Sequence, residues 1–258
     1  MTEYTGTGTE ENPITPYVRP SAPDPVKAAI ASMGADVDSF AAAFRSSADL
    51  SANLPADVRQ IVSEASSAIT GTVATATNAR TKADGFRADI RLYPAGREAL
   101  AGEAIKDAQG KISESLADAD GKLMIAQALL YEAARPTLAQ ADAMTARADL
   151  DMVTRRTTTT NSPGALADTL KQLASGSDSL AALVADSTYL TRFLAANGVE
   201  SDLAQAIVTS VQGAVVKAAA ESGDAKRSAA GRTSLALVEL RKARAAATSY
   251  TRHKLSRK

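Results

Sequence analysis

The stretch PAGREALAGEAIKDAQGKISESLADADGKLMIAQALLYEAAR, residues 94–135, decides the fold. It opens on a proline, which suits the first position of a helix, and closes just before Pro136. Between them Ile105, Ala108, Ile112, Leu116, Ala119, Leu123, Ala126, Leu130 and Ala133 recur at spacings of three and four. That is the seam of a helix packing lengthwise on another helix. Some forty residues at 1.5 Å each predict a rod of about 60 Å, longer than a compact domain needs. A rod of that length, with no catalytic motif along it, points to building or bridging.

The partner should lie just upstream. Pro55 starts a helix, capped from near Asn53, with Val58, Ile61, Val62, Ala65 and Ile69 on its apolar face. The run Thr72 to Thr81 is small and β-branched, so it should be helical only when packed on a neighbour. Phe86, Ile90 and Leu92 resume the stripe, and Tyr93-Pro94-Ala95-Gly96 reads as the corner of an αα-hairpin. Before it, Asp24-Pro25 supplies a cap and a first-turn proline. Val26, Ile30, Met33, Val37, Phe40 and Phe44 then form a stripe of their own.

Residues 1–24 differ in kind. Gly6, Gly8 and Pro13, Pro16, Pro20 and Pro23 oppose a helix and predict an extended arm. Tyr4, Ile14, Tyr17 and Val18 give it anchors that a solvated tail does not need, so they are candidate contacts to another subunit. Past the long helix, Leu138 to Val153 continues helically. Thr157 to Thr160 with Asn161, Ser162, Pro163 and Gly164 predicts a linker, with a threonine strand on a partner's sheet as the alternative. Two short helices split by Ser175-Gly176-Ser177 should follow, with a helix end at Asn197-Gly198. The next helix starts at Asp202 and turns Leu203, Ile207, Val211, Val215 and Val216 inward. Ser222-Gly223-Asp224 and Gly231 should loosen the chain, and Leu235, Val238 and Leu240 give the last segment an apolar face.

Composition narrows the function classes. The 258 residues include no cysteine and one histidine, His253 in a basic tail. Disulfides, iron–sulfur clusters and thiolate zinc sites are thereby excluded. Glu98, Glu103, Asp107 and Glu114 lie along one helix, but a di-iron bundle also needs Glu-x-x-His, and they read as solvated charges. Asp118-Ala119-Asp120-Gly121 fails as a calcium loop, because Leu116 and Gln127 stand where acids are required. No nucleophile elbow or phosphate loop occurs. The expectation is a non-enzyme with no metal and no cofactor. No basic region leads into an apolar N-terminal segment, and the most apolar window, Ala204 to Ala220, reads as too short to span a bilayer. A soluble protein with no membrane contact is expected.

Net charge is zero, yet Lys226 to Lys258 holds ten Lys or Arg against Glu239 alone. This basic end should seek an acidic surface, either nucleic acid through non-specific phosphate contact or the acidic helices of a neighbouring copy. Arg241, Lys242, Arg244, Arg252 and Lys254 are its candidate contacts.

The abundant Ala and Thr, the Pro-rich arm and the helical rods resemble the helical virion proteins of tailed bacteriophages that infect GC-rich hosts. The resemblance is one of overall style, with no diagnostic motif. It implies a head, neck or tail component contacting other subunits and copies of itself, located in the virion. The alternatives are a cytoplasmic helical adaptor or a non-specific nucleic-acid binder. The predicted architecture is all-α: an elongated bundle built on a long αα-hairpin. Its expected parts are an arm at 1–24, a long-helix bundle at 25–156, a linker at 157–164, and a C-terminal helical region with a basic tail at 165–258.

Overall fold

A computed structural model describes residues 4–5, 9, 15–16, 24–159, 163–176 and 178–256. The helices are α1 (Pro25–Ser47), α2 (Ala56–Ala88), α3 (Pro94–Ala134), α4 (Ala143–Thr159), α5 (Pro163–Ala174), α6 (Ser179–Ala185), α7 (Ser187–Ala196), α8 (Ser201–Ala220) and α9 (Ala225–Ser256). A 3-10 turn, Gln140–Asp142, precedes α4. The fold is all-α. Two short strands, β1 (Tyr4–Thr5) and β2 (Thr15–Pro16), pair antiparallel, whereas the sequence reading placed no strand there. Of the arm anchors, Tyr4 has only its backbone described, and Ile14, Tyr17 and Val18 lie outside the described residues.

α3 runs unbroken for 41 residues, about 61 Å. It buries Ala108, Ile112, Leu116, Ala119, Leu123, Ala126 and Leu130, with Ile105 and Ala133 half-buried at the edge of the seam. α2 runs antiparallel beside it. Arg87 meets Glu98 at 3.1 Å, the Ser115 hydroxyl reaches the Ala68 carbonyl at 3.4 Å, and Lys122 lies 2.9 Å from Glu64. The threonine-rich run of α2 is helical for two reasons. Thr72, Ala76, Ala79 and Ala83 are buried, small enough for the backbones to come close. The hydroxyls of Thr72, Thr75, Thr77 and Thr81 also donate to carbonyls one turn back, so the buried one, Thr72, is not orphaned.

The corner falls earlier than expected. α2 stops at Ala88, residues 89–93 make the turn, and Pro94 is already the first residue of α3. Asp89 accepts from the Arg91 backbone at 3.0 Å and from its guanidinium at 2.9 Å, which holds the carboxyl down at about 2. Ile90 therefore does not continue the stripe; it is 85% exposed. At the start of α1 the expected cap is present, with Asp24 Oδ1 accepting from Val26 N at 2.9 Å. The cap foreseen for α2 is not, since Pro55 holds that position with no side-chain bond.

The main departure concerns α9. It is no trailing tail. Leu237, Leu240, Ala243, Ala247 and Tyr250 join α1, α2 and α3 in one core. The Tyr250 hydroxyl is 2.8 Å from Thr77 Oγ1, its ring lies on Gly34, and Thr233 donates to the Asp49 carbonyl at 3.0 Å. A second core gathers α4 to α8 around Leu150, Leu170, Leu190, Leu194 and Val211. The cores thus cut across the expected 25–156 and 165–258 units, because the last helix returns to the first three.

Three other local expectations are corrected. α4 continues through Thr159, because three β-branched residues cost only tenths of a kcal/mol each against a helix already formed; residues 160–162 lie outside the described residues. The segment after residue 177 makes two helices, broken where Asp186 caps α7 by accepting from Tyr189 N at 2.9 Å. Gly231 does not loosen the chain. It sits in the second turn of α9 against the C-terminal end of α8, where a Cβ would collide with the backbone of Ala219 and Ala220. The break expected at Ser222-Gly223-Asp224 is present between α8 and α9, and Asp224 caps α9 by accepting from Lys226 N at 2.8 Å. The end at Asn197-Gly198 is as read, with Gly198 at φ 72° and Val199 N bonded to the Leu194 carbonyl.

Candidate protein interface

α8 is longer than the sequence reading allowed, 20 residues and about 30 Å, so it is long and apolar enough to cross a membrane by length and composition. In the structure Ile207, Val208, Val211 and Val215 face the second core, and Leu203 faces outward at 39% exposure. The side of α8 away from that core borders a groove.

The groove lies where the two cores meet. α3 contributes Met124, Ala128 and Tyr131, spaced four and three apart beside the buried Leu123 and Leu130. α9 contributes Leu235 and Val238, three apart, and α8 contributes Gln212, Gly213 and Val216. The helical repeat makes each set a ridge. The volume is about 620 Å³, within the range of sites that take a ligand. None of its lining residues is charged, on a chain with 22% charged residues. Met124 is 74%, Leu235 50% and Val238 48% exposed.

Tyr131 anchors the floor. Its hydroxyl donates to the Ala185 carbonyl at 2.6 Å, tying α3 to α6. Burial pushes its phenol up to about 12, so it stays a neutral donor. Gly213 leaves the α8 wall low, with no atom within 4 Å of where a Cβ would stand. The arrangement offers an apolar seat with amide and hydroxyl groups at its rim and no group placed for acid–base chemistry.

Of the basic residues singled out in the sequence, Arg241 borders this seat through Gln127, one of its lining residues, and the others are not among its lining. Arg244 forms a two-pronged ion pair with Asp120 of α3, and Arg241 bonds Gln127. Lys242 pairs with Glu239 at 2.8 Å and lies 5.9 Å from the Phe40 ring. Arg252 is exposed beside Thr251 and Thr248, and Lys254 is half-buried near Tyr250. So the acidic surface that the basic end was expected to find elsewhere is partly supplied by this chain's own α3.

No family model, curated protein or solved structure matches the chain. Leu235 and Val238 were visible in the sequence as part of an apolar face, but Leu240, named with them, is fully buried. Met124 and Tyr131 were missed. Their signal was faint: two large apolar groups just off the seam of a helix whose other off-seam positions are mostly polar or alanine.

Proposed function

We propose that this protein is a non-enzymatic structural subunit that works by protein–protein contact inside a larger assembly. The uncharged groove between α3, α8 and α9 carries the reading. A chain that closes two cores elsewhere leaves Met124, Leu235 and Val238 open to water around a shared hollow. Exposed apolar surface gathered in one concave place, rather than scattered, is what interaction sites present. A second exposed pair, Ile90 and Tyr93 at 85% and 87%, tips the α2–α3 hairpin.

The resemblance to helical phage proteins suggests which assembly: a head, neck or tail component of a tailed-phage virion, contacting copies of itself and other subunits. On that reading it resides in the virion, and otherwise in the cytoplasm. Nucleic-acid contact through the basic end is the weaker reading, because Arg241, Lys242 and Arg244 already have partners within the chain. Sedimentation velocity across a concentration series tests the proposal. Species heavier than the 26.6 kDa protomer should grow in with concentration. A chain that stays monomeric throughout would overturn it.

A further inference from the structure

Resting on that assembly reading, we propose that the outer side of α4 is a second contact face, packing antiparallel on α4 of another copy about a two-fold axis at Ala148.

The face comes from an inversion of the usual pattern. α4 buries Ala146, Leu150 and Thr154. At about 100° per residue the opposite side is centred on Ala148, with Met144 and Met152 one turn to either side of it. That side of a surface helix is ordinarily polar. Here Met144 is 81% and Met152 66% exposed, and Ala148 between them is exposed as well. Methionine fits its flexible thioether to irregular neighbours, and the small Ala148 lets a second helix come close.

Charge selects the occupant and its direction. Arg147 and Asp151, one turn apart and both exposed, share one flank of the stripe. Arg147 lies 5.8 Å from the Tyr189 ring, and among the described residues neither it nor Asp151 is in an ion pair. Two α4 helices laid antiparallel about Ala148 bring Arg147 of each within about 3 Å, along the axis, of Asp151 of the other. Two reciprocal ion pairs then close beside the methionines. Laid parallel in register, the same face sets Arg147 against Arg147 and Asp151 against Asp151. Asp149 lies about 100° round on the other flank, turned away from the contact. Arg155, beyond Met152, comes level with Ala141 and Asp142 of the other copy, so it meets no cation. The face is complementary to itself in one direction, which is what an isologous two-fold contact requires.

The contact is small. From Met144 to Met152 the stripe runs about 12 Å. One helix face of that length buries less than the roughly 1,200 Å² of a stable complex. The pair is therefore weak alone and forms where copies are held close together, as an assembly holds them. It shares no residue with the groove between α3, α8 and α9, so the two contacts can be tested apart.

With no native cysteine in the chain, disulfides can read the register. Ala148→Cys chains, oxidised in solution, should form a linked dimer. Differently tagged Met144→Cys and Met152→Cys chains should join in mixed dimers at least about tenfold more than either joins itself, because like positions lie about 12 Å apart along the axis, beyond disulfide reach. No Ala148→Cys dimer, or equal mixed and self-linked yields, would overturn the proposal. In the Ala148→Cys chain, Arg147→Asp should lower the dimer yield about threefold, and adding Asp151→Arg should restore it. Circular dichroism verifies that each variant stays helical, and a yield that the double reversal does not restore would also overturn the proposal. A parent chain that self-associates in sedimentation while these links fail would overturn the α4 contact and leave the assembly reading standing. A parent that stays monomeric and gives no link would overturn both.

Discussion

The guanidinium of Arg244 grips the carboxylate of Asp120 with two hydrogen bonds, Nε to Oδ1 at 2.9 Å and Nη2 to Oδ2 at 2.6 Å, joining α9 to α3 across 124 residues of chain. Two-pronged geometry makes this a well-aligned ion pair. Its side chains are nonetheless 34% and 44% exposed, so water screens it. A double-mutant cycle with Arg244→Gln and Asp120→Asn, followed by urea unfolding, should give a coupling of about 0.5–1 kcal/mol. Zero coupling would mean that the pair adds nothing to α9 docking. Because Arg244 has this internal role, Arg252→Gln is the better probe of any external contact by the basic end.

Leu130 is fully buried on α3, whereas Met124 stands mostly in solvent at the groove. Leu130→Ala should cost about 2–5 kcal/mol through lost burial and the cavity left behind. Met124→Ala should change monomer stability by less than about 0.5 kcal/mol. Equal effects in chemical denaturation would show that the seam is misplaced by a residue.

Two glycines in helices should respond in opposite directions. At Gly231 an added Cβ meets the backbone of Ala219 and Ala220, which no rotamer change can relieve, so Gly231→Ala should destabilise by about 1–3 kcal/mol. At Gly121, exposed on α3, nothing lies within 4 Å. There alanine should stabilise by about 0.5–1 kcal/mol through helix propensity. Melting curves of the two variants shifting the same way would contradict the close approach of the end of α8 to α9.

Tyr131 should give stability an alkaline limit. Its phenol titrates near 12 in the folded chain against about 10 when unfolded, so the unfolded state loses its proton first. The stabilisation is complete below pH about 10 and is lost as pH rises toward about 12. Tyr131→Phe should cost about 0.5–1.5 kcal/mol at neutral pH, through the lost bond to Ala185, and should flatten that alkaline fall. Tyr189, which burial also raises, would leave a residual slope. An unchanged pH profile in the variant would remove Tyr131 from this role.

Much of the helical layout follows from the sequence alone. The α3 seam, the Asp24-Pro25 start and the left-handed stop at Gly198 all rest on interactions within a few residues, which periodicity and capping chemistry report directly. Leu235 and Val238 of the candidate site were visible for the same reason. Only the tertiary structure decided that α9 closes the first core, that Gly231 is a contact point, and that Met124 and Tyr131 share a groove with residues a hundred positions away. Helical periodicity says that a face is buried, not what buries it. With alanine lining so many seams, one stripe can accept any of several partners. The threonine run of α2 shows the same dependence, weak by propensity and helical because α3 and its own hydroxyl bonds hold it. Arg244 shows it for charge: ten basic residues near one end predict attraction to acid, but only the folded arrangement puts Asp120 within 2.6 Å of one of them.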